Sequence, residues 1–127
     1  MGAAQPRAAA APGPRVYYYG LLDACTAGIG GAGGMSPTIV GPTMEEEVFR
    51  MAVGLSLDYD PQFSADTLTH EIGHVQGLEH VACDFADTPN PGMDFPHADG
   101  SIGVWGFGVR AAVLRNPDDS RDYMSYC

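Results

Sequence analysis

His70-Glu71-Ile72-Gly73-His74-Val75-Gln76-Gly77-Leu78-Glu79-His80 is the stretch on which the reading of this 127-residue chain turns. It contains H-E-x-x-H, extended to H-E-x-x-H-x-x-G-x-x-H. On a helix, residues four apart stand one above the other on one face. His70 and His74 can therefore present two imidazoles to one ion. Glu71 lies about 100° round the helix from His70, where it can reach a water on that ion without ligating it. Gly77 falls one turn later, and glycine tolerates the left-handed conformation that ends a helix and turns the chain. Such a turn would bring His80 back as a third ligand. Three neutral imidazoles with one open position form the donor set of a catalytic zinc site, whereas structural sites are closed by four protein ligands. With this chain's own composition, the five fixed positions arise by chance roughly 2 times in 100,000. The bland alternative is a helix with solvated histidines near its end.

The stretch resembles the zinc signature of the metzincin metallopeptidases. That family also carries a Met-turn, a tight turn whose methionine lies under the metal, and Asp122-Tyr123-Met124-Ser125-Tyr126-Cys127 fits it. Tyr126, two residues after Met124, resembles the tyrosine of the astacin and serralysin branches, which ligates zinc or steadies the transition state. Val81, the residue after the third histidine, does not match astacins, serralysins, adamalysins or matrixins, which points to another, bacterial and secreted, branch. The resemblance implies an α+β fold: a small twisted mixed sheet over a zinc-binding helix, then an irregular C-terminal part ending in the Met-turn. It also implies one Zn²⁺ held by His70, His74 and His80, Glu71 as general base, Tyr126 as a donor to the oxyanion, and Met124 as an apolar floor. Complete metzincin domains continue at both ends, so the chain is expected to be a truncated piece of such a domain.

Three cysteines, Cys25, Cys83 and Cys127, allow three single pairs. If the resemblance sets both His80 and Met124 at one metal, Cys83 and Cys127, each three residues downstream, should be neighbours. The expectation is a Cys83–Cys127 disulfide, against the alternative of two reduced buried cysteines, with Cys25 left over. A disulfide would imply an oxidising compartment.

The length is that of one domain with a modest core. Residues 1–15 are rich in Ala and Pro, lack a continuous apolar run, and read as a disordered arm. Residues 16–127 read as a single, partial catalytic domain. The net charge is −10, and all six basic residues are arginine. That balance argues against nucleic acid and an anionic membrane surface, both of which need a basic face. Solubility is the ordinary reading of such acidity; a preference for basic or neutral substrate segments is the weaker one. There is no run of about 18 apolar residues, so no transmembrane helix is expected. The partner expected is a protein or peptide substrate met by a monomer.

Val16 to Leu22 is aromatic and apolar, which suits a buried strand. Gly28 to Gly34 contains G-x-G-x-x-G, yet Met35-Ser36-Pro37 follows where a dinucleotide fold would open a helix, so a glycine loop is the better reading. Thr38-Ile39-Val40 is a candidate edge strand between prolines; in metzincins such a strand pairs with extended substrate. Thr43-Met44-Glu45-Glu46 resembles a capping box, but Met51, Val53, Leu55 and Leu57 recur with period two, which favours a strand over Phe49–Leu57. Ser64 is a candidate cap for a helix from Ala65 to Leu78, with Leu68, Ile72 and Val75 facing the core and Thr69 away from it. Residues 84–100 read as a long loop. Its aspartates Asp84, Asp87, Asp94 and Asp99 could gather Ca²⁺, although turn aspartates are the simpler reading. His97 reads as an exposed loop histidine. Ile102 to Val109 reads as an extended segment with Trp105 in the core, and Arg110–Arg115 as a brief helical turn.

The function expected is therefore zinc-dependent hydrolysis of internal peptide bonds. The alternative from another class is a catalytically weak or inactive zinc-binding module that recognises peptide or glycoprotein.

Overall fold

The computed structural model describes residues 16–23, 31–39, 49–83 and 95–127. A three-stranded mixed sheet carries the single α-helix found among them. Strand β1 (Tyr18–Asp23) runs parallel to the central β3 (Met51–Ser56), with Tyr18 opposite Met51 and Asp23 opposite Ser56. The two-residue strand β2 (Gly34–Met35) lies antiparallel on the other side of β3. The edge strand is thus Gly34–Met35. Thr38 and Ile39 form no strand, and Val40 lies outside the described residues.

β3 confirms the period-two reading, and its small set of residues is the buried one. Ala52 and Gly54 are buried, whereas Met51 is exposed and Val53 and Leu55 are half-buried. Close approach explains this. A Cβ at Gly54 would collide with the Tyr19 hydroxyl and come within 3.1 Å of Thr67 Cγ2 on the helix. Bulk on that face would push the helix away. The other face of the sheet is lightly covered: β1, expected to be buried, leaves Tyr18 and Leu21 exposed.

The helix α1 spans Pro61–Val75, earlier at both ends than the sequence suggests. Its cap is Asp60, whose carboxylate accepts from the Phe63 N–H at 3.0 Å, and Pro61 follows at the first helical position, where its missing N–H costs nothing. Ser64 is not the cap. Its hydroxyl accepts from the Leu57 N–H at 2.9 Å and so ties β3 to the helix start. At the far end Gly77 takes φ +98°. The Gly77 N–H donates to the His74 carbonyl at 2.9 Å and the Leu78 N–H to the Gly73 carbonyl at 3.0 Å. These are the two bonds of a Schellman cap, which a left-handed glycine permits. Val75 is buried, Ile72 is half-buried and Leu68 is exposed. Cover is concentrated on the last turns of α1, where the chain after Gly77 folds back. Thr69 points to solvent, its hydroxyl on the Ala65 carbonyl.

Residues 95–127 contain little regular structure. A short 3₁₀ turn, Ala98–Gly100, is followed by the hairpin of β4 (Gly106–Gly108) and β5 (Val113–Arg115). The helical turn expected at Arg110–Arg115 is replaced by this hairpin, with Ala112 at φ 51° in its bend. Trp105 is not core: it is exposed, as are Val104, Phe107 and Val109. Ile102, Gly106 and Gly108 are the half-buried positions instead, and a Cβ on Gly106 would come within 3.3 Å of Ile102 Cδ1 and Arg115 Cβ. The last residues return to the helix. Val81 bridges Ser125, the Val81 N–H donates to the Met124 carbonyl at 3.0 Å, and the Asp122 N–H donates to the Gly100 carbonyl at 2.7 Å. A Cys83–Cys127 disulfide closes the same junction. Cys25 lies outside the described residues, as do residues 1–15, Glu45, Glu46, Asp84, Asp87 and Asp94.

Only Ala52, Val75, Val81 and Met124 are fully buried apolar side chains among the described residues. With so small a core, the covalent clip matters. The disulfide spans 44 residues, and the chain-entropy account of closing such a loop gives about 3–4 kcal/mol. Replacing both Cys83 and Cys127 by alanine should lower unfolding free energy by about 2–4 kcal/mol, read from urea denaturation against the parent. An unchanged midpoint would show that the junction is held by its packing and backbone hydrogen bonds alone.

Candidate metal centre

α1 and the Schellman turn place three imidazoles together. His70 and His74, four residues apart, project from one face of the helix, and the left-handed Gly77 sends the chain back so that His80 meets them. His74 Nε2 lies 3.0 Å from His80 Nε2, and His80 Nε2 lies 3.2 Å from His70 Nε2. His70, His74 and His80 are the one group of three or more possible ligand residues found among the described residues.

The outer ring nitrogens fix the chemistry of the inner ones. His70 Nδ1 is 2.9 Å from the Tyr123 carbonyl and His74 Nδ1 is 2.8 Å from the Leu78 carbonyl. A carbonyl can only accept, so both Nδ1 atoms carry the proton and both Nε2 atoms present lone pairs. Two lone pairs then converge on His80 Nε2. One proton there could satisfy only one of them, whereas a cation among the three satisfies all. Tetrahedral zinc with Zn–N bonds of about 2.0–2.1 Å would hold its nitrogens about 3.3 Å apart, close to the separations seen. The donor set can hold a metal ion and is compatible with zinc. Imidazole alone does not fix the metal, since it also suits copper, iron and nickel.

Met124 is buried to 1% exposure, with its sulfur against Gly73 of the helix. A Cβ on Gly73 would clash with Met124 Sδ and lie 2.9 Å from Tyr123 Cε2, so Gly73 is what lets the Met124 turn close on the helix between the first two histidines. The turn is internally braced: Asp122 Oδ1 accepts from the Met124 N–H at 2.8 Å. Tyr126 Oη stands 3.3 Å from His80 Nε2. Burial raises its pKa above the ordinary phenol value, and the charge of Glu71 adds to that.

Glu71 is 8% exposed. Burial pushes its carboxyl above the usual carboxylate range, while His70 and hydrogen bonds from the Ser36 hydroxyl and N–H pull it partly back. It sits under β2, where a Cβ on Gly34 would come within 2.6 Å of its Cγ and 2.8 Å of Oε1. Ser36, Gly34 and the carbonyls of Leu78 and Tyr123 are therefore parts of this centre that sequence reasoning missed. Main-chain carbonyls leave no mark in a sequence, and a serine two residues past a glycine run is a weak one.

His97 does not join the cluster. It is half-buried, with its ring in the space left by Gly103 and 5.8 Å from the Phe95 ring, rather than exposed. Of the aspartates considered for calcium, only Asp99 is described, and among the described residues it belongs to no group of three candidate ligands. No helix among the described residues is long and apolar enough to cross a membrane. No known family, curated protein or solved structure matches this chain.

His74 supplies a pH test of the apoprotein. Burial holds its pKa below the ordinary 6.5, the Leu78 hydrogen bond opposes this, and His80 and His70 add to it. The unfolded chain takes up that proton near the ordinary value, so as pH falls through 6.5 the unfolded state binds more protons and stability drops. Chelator-treated protein should unfold at lower urea at about pH 5.5 than at about pH 7.5. Glu71, with its pKa raised, works in the opposite direction, so the comparison is made in Glu71→Gln protein, where a midpoint that is level or rises on acidification would mean that His74 is not held neutral in the fold.

Proposed function

We propose that this chain carries the catalytic centre of a secreted, metzincin-like zinc endopeptidase. The observation that carries the reading is the convergence of three imidazole Nε2 atoms, two of them committed as lone-pair donors by their backbone partners, beside a buried glutamate. The H-E-x-x-H-x-x-G-x-x-H order and the buried Met124 turn supply the family resemblance, and the Cys83–Cys127 disulfide fits an oxidising compartment.

His70, His74 and His80 would hold the zinc ion, which when bound would supply a Lewis acid able to bring the pKa of water towards about 7 and to polarise a carbonyl. The rest falls to the chain's own groups. Glu71, braced by Ser36, takes a proton on its carboxylate from the attacking water and returns it to the departing amide nitrogen. Burial raises its pKa, the direction in which a carboxylate becomes better able to take up a proton. Tyr126, kept protonated, donates its O–H to the developing oxyanion. Met124 gives the imidazoles an apolar floor that limits their motion. β2 offers an extended substrate a strand with which to pair.

Three variants test this. His80→Ala should abolish stoichiometric zinc binding in elemental analysis; full occupancy would remove His80 from the ligand set. Glu71→Ala should keep zinc while peptide hydrolysis falls about 10²–10⁴-fold or more; activity within tenfold of the parent would exclude it as base. Tyr126→Phe should lower kcat and kcat/KM together by about 10²-fold with an unchanged melting temperature. Unchanged turnover, or activity lost together with the fold, would leave Tyr126 as packing.

A further inference from the structure

Beside the histidine cluster lies a hollow of about 390 Å³ that reaches along one flank of α1. This volume is in the range of small-ligand pockets. Its near end is His70, Glu71 and Tyr126, and its far end is Phe63 and Asp66. Phe63, Asp66 and Thr67, and then His70 and Glu71, follow the three-and-four spacing of a single helix face. Asp66 stands one turn before His70, about 6 Å along the axis.

The walls differ in chemistry. The facing wall is backbone apart from the Ala32 methyl: Gly31, Ala32, Gly33 and Gly34 line it. A Cβ on Gly33 would lie 2.6 Å from Phe63 Cζ, so the glycine run seats directly on that ring. The floor is the Phe63 ring and Thr67. At the mouth of the far end Asp66 accepts from Gln62 Nε2 at 2.7 Å. That partner is neutral, and among the described residues no cation offsets the Asp66 charge.

We infer that this hollow receives an arginine or lysine side chain of the substrate, next to the scissile bond, with Asp66 as the residue that selects it. The inference rests on the peptidase reading above. A long basic side chain has the right parts in the right order. Its methylene stem covers apolar surface while the charged head stays near water, which matches a floor of Phe63 and Thr67 ending at an exposed carboxylate. The Phe63 ring, 40% exposed, adds a face to which a guanidinium is attracted. The chain's net charge of −10 draws cationic segments in over longer range. An acidic substrate residue would meet Asp66 as a like charge.

The test uses zinc-loaded protein and fluorogenic peptides that differ only in the residue on either side of the cleaved bond: arginine, norleucine or glutamate. At one of those two positions arginine should exceed norleucine in kcat/KM by about fivefold or more, and the advantage should shrink with salt. In Asp66→Asn the ratio should fall to about one, and Asp66→Glu should restore part of it, with zinc content and near-ultraviolet circular dichroism reporting that each variant is folded. A wild-type ratio near one at both positions, or an Asn variant that keeps the ratio, overturns the inference. If no peptide is cleaved, the peptidase reading fails, and binding of arginine and norleucine hydroxamates by calorimetry decides the pocket separately. An arginine advantage lost in Asp66→Asn upholds it, and equal binding rejects it.

Discussion

Two imidazole lone pairs, on Nε2 of His70 and of His74, converge on the Nε2 of His80, where one proton can satisfy only one of them and a shared cation can satisfy all three rings. That constraint organises the molecule. His70 and His74 cannot turn their inner nitrogens away, because the Tyr123 and Leu78 carbonyls hold the outer ones. Each carbonyl is fixed in turn by a feature of the chain: Leu78 by the Schellman turn at Gly77, and Tyr123 by the turn whose methionine lies under Gly73. Ring orientation is thus set by backbone, and partners of this kind tune a metal site as much as its ligands do.

The rest of the described fold is thin by comparison. Small residues on β3 let α1 approach closely, but the fully buried apolar side chains are few, and β1 and the β4–β5 hairpin leave large apolar residues in solvent. A core of that size supplies little stability by itself. The Cys83–Cys127 bond and a metal shared by three side chains would each restrict the unfolded chain or favour the folded one. Both act at the same junction, where the segment after α1 meets the last residues. Loss of either is therefore expected to loosen the Met124 turn and the histidines together.

Glycine placement links fold to chemistry. Gly34 lets β2 sit on Glu71, Gly54 makes room for Tyr19 and Thr67, and Gly73 admits Met124. At each of these positions a methyl group would strike a side chain of the centre or its support. They recur where backbone must come close to a functional group, which is the ordinary use of a residue with no Cβ.

The histidine spacing, the period of β3, the glycine that ends α1 and the neighbouring cysteines were legible in the sequence. The first three depend on local geometry: about four residues to a helical turn, two to a strand repeat, one residue able to take positive φ; the cysteine pair, 44 residues apart, was expected only through the family resemblance. The cap was read at Ser64 and lies at Asp60, because proline at the next position favours the earlier start and Ser64 is drawn to the Leu57 N–H. Trp105 was read as core and is exposed, because hydrophobicity says what could be buried and only the packing says what covers it. The edge strand falls at Gly34–Met35 rather than at Thr38 and Ile39, where Gly34 lets the backbone lie against Glu71 and Thr67 of the helix as a residue with a Cβ would not. The sequence alone determined which side chains could share an ion. The tertiary structure decided which carbonyls orient them, which serine braces the glutamate and which aspartate faces the adjoining hollow, since those contacts join segments whose separation along the chain carries no periodic signal.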